Sequence, residues 1–375
     1  MPPTACISLS GLLVSCAGGV GHTRTTARPS ANPTSATPGG SGNSIAGLTD
    51  RSAPTGLDQF SAGYDPVSRR VILWAGATSG PTGTLVAQTW AWDGSSWSQL
   101  SPSTQPAPER QASLAVDPGS GHLLLVGGDA FSQGVDSQGN NVAHWAPNEG
   151  TWSWDGSTWT RVGDNARQGG YPALAVDQAT RQLLVNSPDI RGAETTVDLE
   201  TSGPAWYGQG SYVWTGSAWA ALALPNGVAA PWAIQSAIAY DPISKRLIQF
   251  GGSQQYATSD TYAYDGAAWS RLQPATVPPG TPGGLAATDE TAGQVVLVAR
   301  PVDHPDLATT WTWSGANWVR HVVAEPPAEV TDVGRAQMIW DPAIERVVLI
   351  TSSGAAALRL WIWAGTQAGW AVTPS

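Results

Sequence analysis

The chain has 375 residues, only 12% of them charged, with 43 glycines, 29 prolines and a formal net charge of −10. A single lysine, Lys245, leaves no basic footprint for nucleic acid or an anionic membrane surface, so neither is an expected partner. Both cysteines, Cys6 and Cys16, fall within the first sixteen residues, which excludes disulfides and thiolate metal sites from the rest, and the turn-rich composition favours short strands.

At the N-terminus "ISLSGLLVSCAGG" (7–19) holds an apolar run too short to span a bilayer. Its end, Leu13-Val14-Ser15-Cys16, resembles the lipobox of bacterial lipoproteins. The resemblance implies a signal peptide over 1–16, lipidation of Cys16 and an extracytoplasmic location, at the cell surface or in the periplasm. The preceding "MPPTACISLSG" has no Lys or Arg, unlike the usual start of such a signal, and an ordinary secretion signal or a plain tail are the alternatives. Residues 17–53 are Gly, Ser, Thr, Pro and Ala with little to bury, and read as a disordered tether.

From 54 to 375 the chain repeats itself. Six strand-like runs end in Asp65, Asp117, Asp177, Asp241, Asp289 and Asp341, spaced by 52, 60, 64, 48 and 52 residues. Five residues after each comes Arg70, His122, Gln182, Arg246, Gln294 or Arg346, followed by an apolar run that reads as a buried strand. Then comes an aromatic alternation: Trp90/Trp92, Trp152/Trp154, Tyr212/Trp214, Tyr262/Tyr264, Trp311/Trp313 and Trp361/Trp363. A glycine suited to a tight hairpin follows, and Trp97, Trp159, Trp219, Trp269 or Trp318 opens a fourth strand, with Trp370 serving a stretched sixth unit.

Each unit reads as a four-stranded antiparallel meander that cannot cover its own faces. Stacking six of them radially, with tryptophans as spacers, predicts an all-β, six-bladed β-propeller. The pairing of an apolar strand ending in Gly-Gly (Gly127-Gly128, Gly251-Gly252) with a later Trp resembles the kelch repeat, and the architecture is similar to the propeller domain of galactose oxidases. In those oxidases a Tyr crosslinked to a Cys and two His ligands serve copper, and no cysteine follows Cys16, so a copper-radical oxidase is disfavoured and no cofactor is expected.

The short "DPxxxR" and "DGxxW" turns share one face and read as scaffold. The long second-to-third connections of units two and three, about 129–150 and 189–210, open on the other. Subtracting the repeat tryptophans leaves Trp74 and Trp340 inside strands, and Trp145, Trp206 and Trp232 in connections, with Tyr207 beside Trp206. We therefore expect a ligand site lined by Trp145, Trp206, Tyr207 and Trp232, with polar contacts from Asp189, Arg191 and Asp198, taking a carbohydrate or a protein or peptide ligand. The alternative for these rings is loop anchoring. The same connections carry Asp129, Asp136, Glu149, Glu194 and Glu200, so the competing function is a secreted carbohydrate-active enzyme, a glycoside hydrolase or lyase, using two such carboxylates. "DSQGNN" (136–141) lacks the alternating carboxylates of a calcium loop, and His144 and His304 alone do not make a metal site. The expected module is monomeric and non-catalytic.

Overall fold

A computed structural model describes residues 52–372, apart from 80–82, 136–140, 149, 165–171, 189–194, 199–208, 226–230, 232, 254–256, 302–303, 305–306, 325, 327–329 and 331–333. Blade one is built from β1 (Leu57–Asp58), β2 (Ser61–Asp65), β3 (Arg70–Thr78), β4 (Leu85–Trp92) and β5 (Trp97–Leu100). Blade two holds β6 (Arg110–Val116), β7 (Leu123–Val135), β8 (Asn141–Pro147), β9 (Gly150–Trp154) and β10 (Trp159–Asp164). Blade three holds β11 (Ala173–Asp177), β12 (Gln182–Pro188), β14 (Gln209–Trp214) and β15 (Trp219–Ala221), with β13 (Thr195–Asp198) in the connection between β12 and β14. Blade four comprises β16 (Ala237–Asp241), β17 (Arg246–Phe250), β18 (Thr261–Tyr264) and β19 (Trp269–Leu272). Blade five comprises β20 (Leu285–Asp289), β21 (Gln294–Ala299), β22 (Thr309–Trp313) and β23 (Trp318–His321). Blade six comprises β24 (Ala336–Asp341), β25 (Arg346–Thr351), β26 (Arg359–Trp363) and β27 (Trp370–Val372).

The inner strands β2, β6, β11, β16, β20 and β24 neighbour one another in that order, and β24 returns to β2, so the six blades close a ring. Blades one and six are each contiguous in sequence. The ring closes through Thr55, bridged to Ala357, and through Leu358, whose N–H donates to the carbonyl of Pro54.

Each second strand is largely apolar because both of its faces are covered; the exceptions Asn186 and Gln249 are buried and bonded to each other. Val71 and Leu73 pack toward blade six, whereas Ile72 and Trp74 pack toward blade two. Six separate apolar clusters result, one at each interface between blades. The aromatic phrase supplies their largest members. The second ring of each alternation meets the fourth-strand Trp across a directly paired position: Trp154 and Trp159 lie 5.2 Å apart, Trp313 and Trp318 5.1 Å, and Trp363 and Trp370 5.4 Å.

The residue that opens the phrase has its own role. The indole N–H of Trp159 donates to Thr89 of the preceding blade at 2.9 Å. The bond recurs from Trp219 to Thr151, Trp269 to Ser211, Trp318 to Thr261 and Trp370 to Thr310, at 2.8 to 3.0 Å. A buried indole donor without an acceptor is costly, so these hydroxyls offset that cost for five of the fourth-strand tryptophans, while the second-ring indoles of Trp154, Trp214, Trp313 and Trp363 have no hydrogen-bond partner among the described residues. In blade six the corresponding residue is Leu360, which carries no hydroxyl.

On the short-turn face the repeated aspartates close their own turns. Asp65 accepts from the N–H groups of Val67 (3.0 Å) and Ser68 (3.1 Å), and Asp117 and Asp241 do the same. This fixes the register that the sequence repeats, since an Asx turn aligns the first two strands of every blade.

Candidate functional site

Two features distinguish the opposite face. The first is a ribbon. Where the sequence predicts two long loops, β7 runs on past its blade and pairs with β8, from Asp129 opposite Pro147 to Val135 opposite Asn141. Strand β13, from the connection between β12 and β14 of blade three, then adds to β8, with Thr195 opposite Trp145 and Asp198 opposite Val142. The connections of blades two and three are thus neighbours, as expected, but are joined as one sheet. The turn out of the blade is made at Gly127 and Gly128, with φ of 74° and 94°. Asn148 secures it, its backbone N–H donating to the Gly128 carbonyl at 3.0 Å and its side-chain amide to that of Gly127 at 3.2 Å.

Of the expected site residues, the ribbon brings Trp145 and Asp198 into adjoining strands. Trp206, Tyr207, Trp232, Asp189 and Arg191 lie outside the described residues, as does Cys16. Trp74 is buried between blades one and two, and Trp340 packs partly buried between blades five and six.

The second feature is a cluster of buried charge at the foot of the ribbon, which sequence reading missed apart from Asp129. Asp129 lies on β7 directly opposite Arg110 of β6, and the two side chains form an ion pair at 2.9 Å. Glu109, Arg110 and Asp129 are 4%, 6% and 7% exposed. Burial pushes the Glu109 carboxyl well above the ordinary carboxylate range, and the charge of Asp129 adds to the effect. Burial raises Asp129 too, while Arg110 pulls it back. Among the described residues Glu109 Oε1 has no hydrogen-bond partner. Across the blade boundary, Asp58 accepts from Ser352 at 2.9 Å and pairs with Arg335 at 3.2 Å.

The chain crossings explain why so polar a group is buried. Gly76 of β3 lies under both incoming segments: a side chain there would meet the carbonyls of Gln59 and Glu109 and the Cα of Arg110. Gln59 and Gln111 leave these segments with φ of 52° and 63°, and the amide of Gln111 donates to that of Gln59 at 3.2 Å. The sequence signal was present, since Gln59, Gln111 and Gln235 each stand six residues before a turn aspartate. Among the described residues no group of three or more His, Cys, Asp or Glu side chains comes together to hold a metal ion.

No protein-family model matches the chain, and no curated protein does. Solved structures do. The protein YjhT is 13% identical, covering 86% of this chain and 99% of its own, with a TM-score of 0.56. A protein of unknown function from Dyadobacter fermentans is 12% identical, covering 84% and 96%, with a TM-score of 0.51. The Aleuria aurantia lectin in complex with Fucα1-6GlcNAc is 14% identical, covering 86% and 98%, with a TM-score of 0.44. The similarity to the first two shows the propeller fold.

Proposed function

We propose that the chain is a non-catalytic, kelch-like binding propeller that takes a carbohydrate or peptide on its ribbon-bearing face. One observation carries the reading: blades two and three spend their two long insertions on a single sheet over one face, while the other face is closed by short, self-capped turns. Loops that vary on a uniform scaffold are where binding sites are built. In this reading Trp145, Trp206, Tyr207 and Trp232 supply stacking surfaces, Asp189, Arg191 and Asp198 supply polar contacts, and no cofactor is needed. The module acts as a monomer outside the cytoplasm, on a lipid anchor at Cys16 followed by its tether.

A carbohydrate-active enzyme is the second reading, favoured because Glu109 and Asp129 are both held above the ordinary range on this face. Both are buried and Asp129 is tied to Arg110, which suits a supporting role better than attack on a glycosidic bond. A glycan and peptide array separates the readings. Binding that falls at least tenfold in Trp145→Ala and Trp206→Ala, with no product released, supports the module. Turnover that Glu109→Gln abolishes supports the enzyme.

A further inference from the structure

The outer part of the ribbon leaves one side of a strand unused. On one side β7 pairs with β9 and then with β8, up to Val135. On the other it pairs with β6 only from Leu123 to Asp129, because β6 enters the ladder at Arg110 and the segment before it arrives across Gly76 of blade one. Among the described residues no strand pairs with 130–135 on that side. Since β6 is the inner strand of blade two, this bare stretch continues the side of β7 that is turned to the ring axis.

Bare sheet edges pair with stray strands, and proteins blunt them by keeping them short or charged. The outermost strands of the blades follow that rule. Strands β5, β15, β19, β23 and β27 have three or four residues, and the longer β10 carries Arg161 and Asp164. Residues 130–135 read "AFSQGV", with no charge and no proline. A row of backbone N–H and C=O groups left open in this way is matched by another extended backbone, which a sugar does not offer.

The register also sets what such a strand should bring. Alternation places Phe131 and Val135 on one face of the ribbon with Trp145, Ala143 and Val197, and Ser132, His144 and Thr196 on the other. We propose that residues 130–135 take an extended peptide as an added strand, one with apolar side chains at every second position, on the Phe131 face. The inference rests on the reading of the ribbon face as a binding surface and narrows its ligand from carbohydrate or peptide to peptide. Main-chain bonds supply the affinity and the alternate side chains the selection.

The test selects binders to the full chain from a phage-displayed library of random peptides and titrates the selected peptides by calorimetry. Each is compared with versions N-methylated at alternate residues, in either register. An added strand turns every second N–H to the edge it joins, so one register of methylation should weaken binding at least tenfold and the other should leave it within about twofold. On the protein, the amides of 130–135 that do not bond to β8 should exchange fast alone and slow at least tenfold when peptide is bound. Methylated versions that bind alike, or a library that yields no binder while oligosaccharides bind, overturn the inference and leave the binding face standing. So do edge amides that are already slow in the dilute, peptide-free chain, or that slow as protein concentration alone rises, since another segment or a second copy then holds the edge. Wild type that binds neither peptides nor sugars overturns both.

Discussion

Replacing Thr261 by valine removes a hydroxyl and keeps the shape. The indole of Trp318 then faces a methyl where it had an acceptor at 3.0 Å, and both residues are fully buried, so water cannot take the acceptor's place. Leaving a buried donor unpaired costs about 1–3 kcal/mol. A propeller of roughly 320 residues unfolds with an entropy of about 0.7 kcal/mol/K, so its melting point should fall by about 1.5–4.5 °C. Scanning calorimetry of wild type, Thr261→Val and Thr261→Ser reads this directly, since serine keeps the acceptor and loses only a methyl. A valine variant as stable as wild type, or a serine variant less stable than the valine one, would refute the claim that the hydroxyls sustain the fourth-strand tryptophans.

Three further outcomes follow from the same geometry. Glu109 binds its proton more tightly folded than unfolded, so its contribution is present below its ordinary value of 4.5 and lost as pH rises through the raised folded value. Wild type should therefore lose stability relative to Glu109→Gln as pH climbs from about 4.5 toward neutrality, and a melting-point difference that is flat with pH contradicts this. Gly76→Ala should cost about 3 kcal/mol or more, because its Cβ would meet the backbone of Gln59 and, at 2.8 Å, the carbonyl of Glu109. Gly94→Ala, with φ of 96° and nothing within 4 Å, should cost only about 1 kcal/mol, and denaturant titration compares the two. Cys16→Ser should move the protein from the detergent phase to the soluble fraction or leave its signal uncut, and identical partitioning of mutant and wild type argues against an anchor.

The blades were legible because the information for them is local. Alternating aromatics, an Asp-Gly hairpin and an Asx turn each act within about ten residues, and even the stretched sixth unit begins its last strand at Trp370 as read. The leading Thr of the phrase was visible at 89, 151, 261 and 310, but its partner lies a blade away, so its purpose was not. The ribbon was hidden for the same reason. "NVAHWAP" and "TTVD" sit in insertions of different blades, and only closure of the ring brings β8 and β13 together. Nothing local in "APERQ" around Glu109 marks it as buried. It is buried because two lead-in segments converge over Gly76, a crossing between blades that the glutamine register marks but does not explain.

In the proposed function the ribbon face binds and the rest of the ring is scaffold. Excising residues 131–147 and closing the gap with Asn-Gly removes the outer part of β7 and all but the foot of the ribbon, while leaving Asp129 and the blade strands in place. We predict a folded propeller whose melting point stays within a few degrees of wild type and whose binding to a glycan and peptide array falls at least tenfold. Undiminished binding by that variant would place the site elsewhere on the propeller.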